Sequence, residues 1–201
     1  VARFTLPAVP ELGPSVSRAH GRLGAALGRF MMGAGGWRIE GSLPDIPRMV
    51  LIVAPHTSNW DFLTGLWVKL AMRIGGRFVG KHTLFRFPLG VFMRWLGGVP
   101  VDRSAAAGFV GEAARAVRES DRMTLVIAPE GTRRRAKWKS GFYRIALEAG
   151  VPIVSAGFDY PRRVVFFAPP FSPTGDYERD LVVLRAQYRP DMALRPENYE
   201  G

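Results

Sequence analysis

The chain contains no cysteine. Disulfides, thiolate nucleophiles and cysteine-ligated metal sites are therefore excluded, as suits a reducing compartment. Histidine is scarce too. Its three copies, His20, His56 and His82, lie too far apart for a local histidine-based metal motif, and no metal is expected. Long apolar runs are missing. The best candidate, residues 62–72, is interrupted by Lys69 and too short to span a bilayer. The first residues lack the basic, apolar and cleavage regions of a signal peptide. A membrane partner would therefore be met from its surface. Acidic residues are in short supply: 17 Asp and Glu against 28 Lys and Arg leave a formal charge of +11. Such an excess speaks of partners: nucleic acid, anionic lipid headgroups or soluble polyanions such as phosphorylated cofactors.

What is present reads as a folded domain. Apolar residues make up 47% of the 201-residue chain and charged residues 22%, ordinary globular values that favour one domain across residues 1–201. Residues 1–35 form an irregular lead-in followed by a helix over 15–32. Val16, Leu23, Leu27, Phe30 and Met31 recur there at helical spacing, with Arg18, Arg22 and Arg29 on another face. Such a helix suits a bilayer interface or a protein core, and Gly21, Gly24 and Gly28 weaken it.

Strands and helices then alternate. Strands are expected at 49–54, 77–81, 98–102, 124–128, 153–158 and 164–168, and helices at 59–73, 88–96, 105–119, 138–149 and 176–188. Continuous apolar runs such as MVLIVA and TLVIA mark strands buried on both faces. The predicted class is α/β: a layered, largely parallel mixed sheet flanked by helices, with an N-terminal amphipathic helix.

Two of these strands end alike, in IVAPHTSNWD and VIAPEGTRRR. In open α/β sheets, sites gather beyond the carboxyl ends of strands. That places His56, Asp61, Glu130 and Arg133 where a site belongs. Neutral imidazole can take the proton of an attacking hydroxyl near neutral pH. A carboxylate on its second nitrogen holds tautomer and orientation and stabilises the imidazolium. His56 and Asp61, separated by a strand end and a helix start, can form such a pair. Asp61 can equally support the first turn of its helix. Gly131 lets backbone approach a ligand, and Arg133 offers a fork suited to phosphate. It opens a basic run with Arg134, Arg135, Lys137 and Lys139, which also suits a solvated loop. A third segment, GGVPVDR, is glycine-rich and finishes in Arg103.

Taken together, HTSNWD, GGVPVDR, EGTR and VPIVS resemble, in order, the four blocks of the glycerolipid acyltransferase superfamily, the lysophosphatidic acid acyltransferase type. The resemblance covers roughly residues 45–170, the motif-bearing core. It implies an O-acyltransferase with His56 as general base and Asp61 as its orienter. Glu130, Gly131 and Thr132 shape the acceptor site by the same resemblance. Arg133 and Arg103 bind the acceptor phosphate, and Lys81, in the block before GGVPVDR, contacts phosphate too. Two departures leave acceptor and acyl preference open: Pro100 stands where the family often has an aromatic, and Ser155 where the fourth block ends in proline.

The expected reaction is direct transfer of a fatty acyl group from acyl-CoA or acyl carrier protein to a lysophospholipid hydroxyl, most fittingly that of 1-acyl-glycerol-3-phosphate. No cofactor is expected. Gly-x-Ser-x-Gly is lacking, which argues against a serine hydrolase. The expected setting is the cytoplasmic face of an anionic membrane, as a peripheral protein. Three alternatives stand beside this: another acceptor on the same fold (a lyso-ornithine lipid, another lysolipid or glycerol phosphate), a lipid-remodelling or hydrolytic enzyme, and a basic nucleic-acid-binding module. The last predicts aromatics interleaved with Lys and Arg for stacking. Here the aromatics cluster in apolar segments, LFRF and VFMRW, which suit a core or an acyl tunnel, so no nucleic-acid partner is expected.

Overall fold

A computed structural model describes residues 6–101 and 106–200. The chain alternates as the apolar pattern requires. Helix α1 (Arg22–Ala34) leads into a short strand β1 (Arg38–Glu40), then β2 (Arg48–Ala54), α2 (Asn59–Met72) and β3 (Arg77–Lys81). A 3-10 turn precedes α3 (Leu89–Trp95) and β4 (Gly98–Val101). The chain continues through α4 (Ala106–Glu119), β5 (Met123–Ile127), α5 (Gly141–Ala149), β6 (Ile153–Asp159), β7 (Val164–Phe167) and α6 (Tyr177–Arg185).

The strands form one seven-stranded sheet in the order β1-β7-β6-β2-β5-β3-β4. β2, β3, β4, β5 and β6 are parallel; β7 pairs antiparallel to β6, and β1 follows β7. The mixed, largely parallel α/β reading is thus the observed architecture. β2 shows why its sequence is a continuous apolar run. Val50, Ile52 and Ala54 pack with the α4–α5 layer, while Met49, Leu51 and Val53 pack with the α1–α2 layer. Each large apolar side chain so buried contributes roughly 1.5–3 kcal/mol.

Several expected boundaries shift. The N-terminal helix begins at Arg22 instead of residue 15, and the fifth helix starts at Gly141 after Ser140 instead of at Trp138. β1 carries no pattern that predicts it: three residues added beside β7 at the sheet's edge. In α1, Gly28, one of the three glycines expected to weaken the helix, also fits it to α2. A Cβ on Gly28 would lie 2.4 Å from the Ala71 backbone nitrogen and 2.7 Å from the Trp67 carbonyl oxygen, so only glycine allows the two helices to approach this closely. Leu23, Leu27 and Phe30 consequently face outward. No helix among the described residues is long and apolar enough to cross a membrane.

Candidate active site

The carboxyl ends of β6, β2 and β5 lie side by side, because β2 pairs Ala54 with Gly157 on one flank and Ile52 with Ile127 on the other. Each end delivers one side chain: Tyr160 from β6, His56 from β2 and Glu130 from β5.

Asp61 is placed by the helix it helps to start. Ser58 caps α2, and Asp61, three residues on, reaches back in a capping box. Its Oδ2 accepts hydrogen bonds from the backbone N–H of Thr57 at 2.6 Å and of Ser58 at 2.7 Å. Its Oδ1 accepts one from the Tyr160 hydroxyl at 2.6 Å. The carboxylate is buried, and its Oδ2 stands 3.3 Å from Nδ1 of His56. One side chain thus caps the helix and stands beside the imidazole. Nε2 of His56 has no partner among the described residues; the side chain is 19% exposed and faces a groove.

Three further contacts hold this corner. The Glu130 carboxylate accepts from the His56 backbone N–H at 3.0 Å, tying the β5 end to the loop that carries the imidazole. The Thr57 hydroxyl accepts from the Arg195 N–H at 3.3 Å, which latches the C-terminal segment onto the same loop. Tyr160 is braced by Trp37, with ring centroids 5.0 Å apart at 86°. Burial, with the Asp61 carboxylate beside it second, pushes the Tyr160 phenol well above its ordinary range, so it stays a donor.

Glu130 does not reach the groove as expected. It is buried, its second carboxylate oxygen has no partner among the described residues, and desolvation raises its pKa, partly offset by backbone hydrogen bonds including that from His56. Gly131, at φ +64°, reverses the chain, and Thr132 and Arg133 then line the groove. The Thr132 hydroxyl accepts from the Arg134 N–H at 3.3 Å. Arg133 is exposed, with no hydrogen bond among the described residues. Lys139 and Arg144 add positive charge to the same lip. Lys81 ends β3 in register with Val101; its side chain, and Arg103 as a whole, lie outside the described residues.

Two hollows meet at His56. The groove, about 1010 Å³, runs between α2, α3, the β5 end and α5. A smaller cavity of about 180 Å³ lies between α2 and the sheet, reaching from His56 and Asp61 to Lys69, Ile74 and Gly76. Phe62, Phe78, Val79 and Ala128 border both. Lys69 is the cavity's distant polar group. Its ammonium donates to the carbonyls of Ile74 at 2.6 Å and Gly76 at 2.9 Å, and burial lowers its pKa to about 8. Among the described residues no cluster of His, Asp and Glu is arranged to hold a metal ion.

Sequence reasoning missed Tyr160 and placed Lys139 only in a basic run. Tyr160 carried one usable signal: it follows a buried strand expected to lie in the sheet. Nothing in the sequence says that this strand is β2's neighbour.

A buried carboxylate behind a groove-facing imidazole, at the ends of parallel strands, has the geometry that general-base chemistry needs. Comparison with known proteins agrees with an acyl-transfer enzyme. The Acyltransferase family model matches residues 40–159, more than half of the chain, and the chain belongs to that family. No curated protein sequence matches it. Among solved structures it is similar to the 1-acyl-sn-glycerophosphate (LPA) acyltransferase PlsC from Thermotoga maritima. That similarity has a TM-score of 0.57 over 82% of this chain and 77% of that one, at 22% identity, and it is a likeness of fold.

Proposed function

We propose that this acyltransferase moves a fatty acyl group from acyl-CoA or acyl carrier protein to the free hydroxyl of a lysophospholipid, with 1-acyl-glycerol-3-phosphate as the best-fitting acceptor. The carrying observation is the position of His56. It stands where an apolar cavity meets a groove with a cationic lip, so a fatty chain and a phosphate can flank one imidazole.

In this reading Nε2 of His56 removes the hydroxyl proton as the oxygen attacks the thioester carbonyl. The C–O bond forms and the C–S bond breaks as the tetrahedral intermediate collapses. The imidazolium returns its proton to the leaving thiolate. Asp61 holds Nδ1 and stabilises the transient positive charge. Arg133 takes the acceptor phosphate, with Arg103 and Lys81 as further phosphate contacts, and Gly131 and Thr132 shape the wall beside it. The apolar lining of the cavity under α2 supports its use for an acyl chain, with Lys69 as the polar far end. No cofactor is required. The same machinery accepts another lysolipid or glycerol phosphate if the lip tolerates its headgroup.

The setting is the cytoplasmic membrane face. The +11 charge and the outward Leu23, Leu27 and Phe30 of α1 support peripheral attachment. Acyl transfer from acyl-CoA to a panel of lysolipids and glycerol phosphate tests the acceptor. His56→Ala, if correctly folded, should lose on the order of 10²–10⁴ in turnover. Near-normal turnover in that variant would remove His56 from the chemistry.

A further inference from the structure

Helix α3 is built against the usual rule for a surface helix. Gly90, Met93 and the following Leu96 turn inward at a spacing of three. The outer side is apolar as well: Phe87 is 88% exposed, Val91 63% and Trp95 61%, with Leu89 and Phe92 beside them. The segment expected to serve a core or an acyl tunnel is thus divided. Phe85 and Met93 are buried, Leu89 and Phe92 border the groove, Phe87 and Val91 face away from the protein, and Trp95 is mostly exposed while touching Phe92 and His20. An exposed apolar ridge of this kind marks an interaction surface.

Charge indicates what covers it. No acidic residue occurs between Asp61 and Asp102, nor between Glu11 and Glu40. Within residues 86–95 the charged side chains are Arg86 and Arg94, both exposed, Arg94 also donating to the Phe85 carbonyl at 3.3 Å. Trp95 also meets His20 edge-on, ring centroids 5.0 Å apart, so the ridge continues into the segment leading to α1, which bears Arg22 and Arg29. Two copies of so basic a face repel each other, whereas an anionic bilayer attracts both its charge and its apolar side chains.

We propose that α3 and the turn before it dock on an anionic bilayer. Phe87, Val91 and Trp95 enter the interfacial layer, and Arg86 and Arg94 lie at headgroup level. This rests on the reading that the acceptor is a lipid, and it adds an entry route: because Leu89 and Phe92 of the same helix border the groove, a lysolipid reaches His56 directly from the membrane. Phe87 and Val91 border neither hollow, so replacing them leaves the chemistry intact.

Flotation with vesicles of phosphatidylcholine plus phosphatidylglycerol, and of phosphatidylcholine alone, tests the docking. The wild type should bind the mixed vesicles more strongly. Phe87→Ser/Val91→Ser should bind them about tenfold less, or weaker still, as follows from withdrawing two apolar side chains. Its transfer to a dissolved short-chain acceptor should be unchanged. Phe87→Ser alone, at an open turn position, should show a smaller loss in the same direction. Equal vesicle binding by wild type and both variants would overturn the proposal. So would a wild-type dimer that the substitutions dissociate, which would assign the ridge to self-association. Flotation requires no turnover, so a chain that binds through α3 without transferring acyl groups would refute the enzymatic reading and leave the docking, and the converse result would do the reverse.

Discussion

The ends of β2 and β5 run side by side and read almost alike, Ala-Pro-His and Ala-Pro-Glu, yet they are built in opposite ways. At the β2 end everything is held. Asp61 is buried and accepts from two backbone amides and one phenol, while His56 is fixed between that carboxylate and the Glu130 tie. At the β5 end the acid turns inward, Gly131 reverses the chain, and Arg133 is exposed with no hydrogen bond among the described residues. The contrast suits the tasks proposed for the two ends. Proton transfer needs a base within hydrogen-bond reach in one orientation, which demands a fixed partner. Recognition of a phosphate by a long guanidinium tolerates, and benefits from, freedom to adjust.

The two strand ends should differ most in their response at Asp61. Asp61→Ala removes the histidine's partner and the helix cap together. Turnover should fall by about 10²–10⁴, and stability by about 1–3 kcal/mol, since the Thr57 and Ser58 amides lose their acceptor. Steady-state kinetics beside thermal melting would check both. A variant that loses stability but keeps turnover would reduce Asp61 to a cap.

Arg133→Ala should behave differently. The expected result is a KM for a phosphate-bearing acceptor raised on the order of 10–100-fold, with turnover within a few-fold of wild type and no stability change. An acceptor without phosphate should show no such rise. A loss confined to turnover would place Arg133 on the reacting centre and erase the distinction between the two ends.

Glu130→Gln should have the smallest effect. Burial raises the Glu130 pKa above its ordinary 4.5, so the folded protein holds that proton more tightly than the unfolded chain. The sign is therefore fixed. This group's contribution to stability falls as pH rises from 4.5 through the folded value. Glutamine keeps an acceptor for the His56 amide and carries no charge. Melting midpoints from acid to neutral pH should show a flatter slope for the variant and stability at pH 7 at least equal to wild type. Turnover should stay within a few-fold. A larger turnover loss would put the carboxylate in the chemistry.

Much of this was legible in the sequence, for identifiable reasons. MVLIVA and TLVIA had to be buried on both faces, and that alone called for helices on both sides of a parallel sheet. The spacing in HTSNWD put a carboxylate where it could reach the imidazole, and EGTR followed a second such strand. Other features were misread or invisible. The aromatics of VFMRW divide between core, groove and solvent because a helix presents successive residues to different sides. Gly28 of α1 could be recognised as a contact point only once α2 lay against it. Glu130 shares a motif with Arg133 but faces the other way, and residue type alone cannot report that.

Residue pattern and composition set most of the elements other than β1, the absence of thiol chemistry, the basic balance and the two strand ends that bear His56 and Glu130. All are local or compositional, set by periodicity and residue chemistry. The tertiary structure alone decided that β5 and β6 flank β2. That adjacency brought Glu130 to the His56 amide and Tyr160 to Asp61 across 99 positions of sequence. Strand order is a long-range choice made by packing, and no local pattern encodes it.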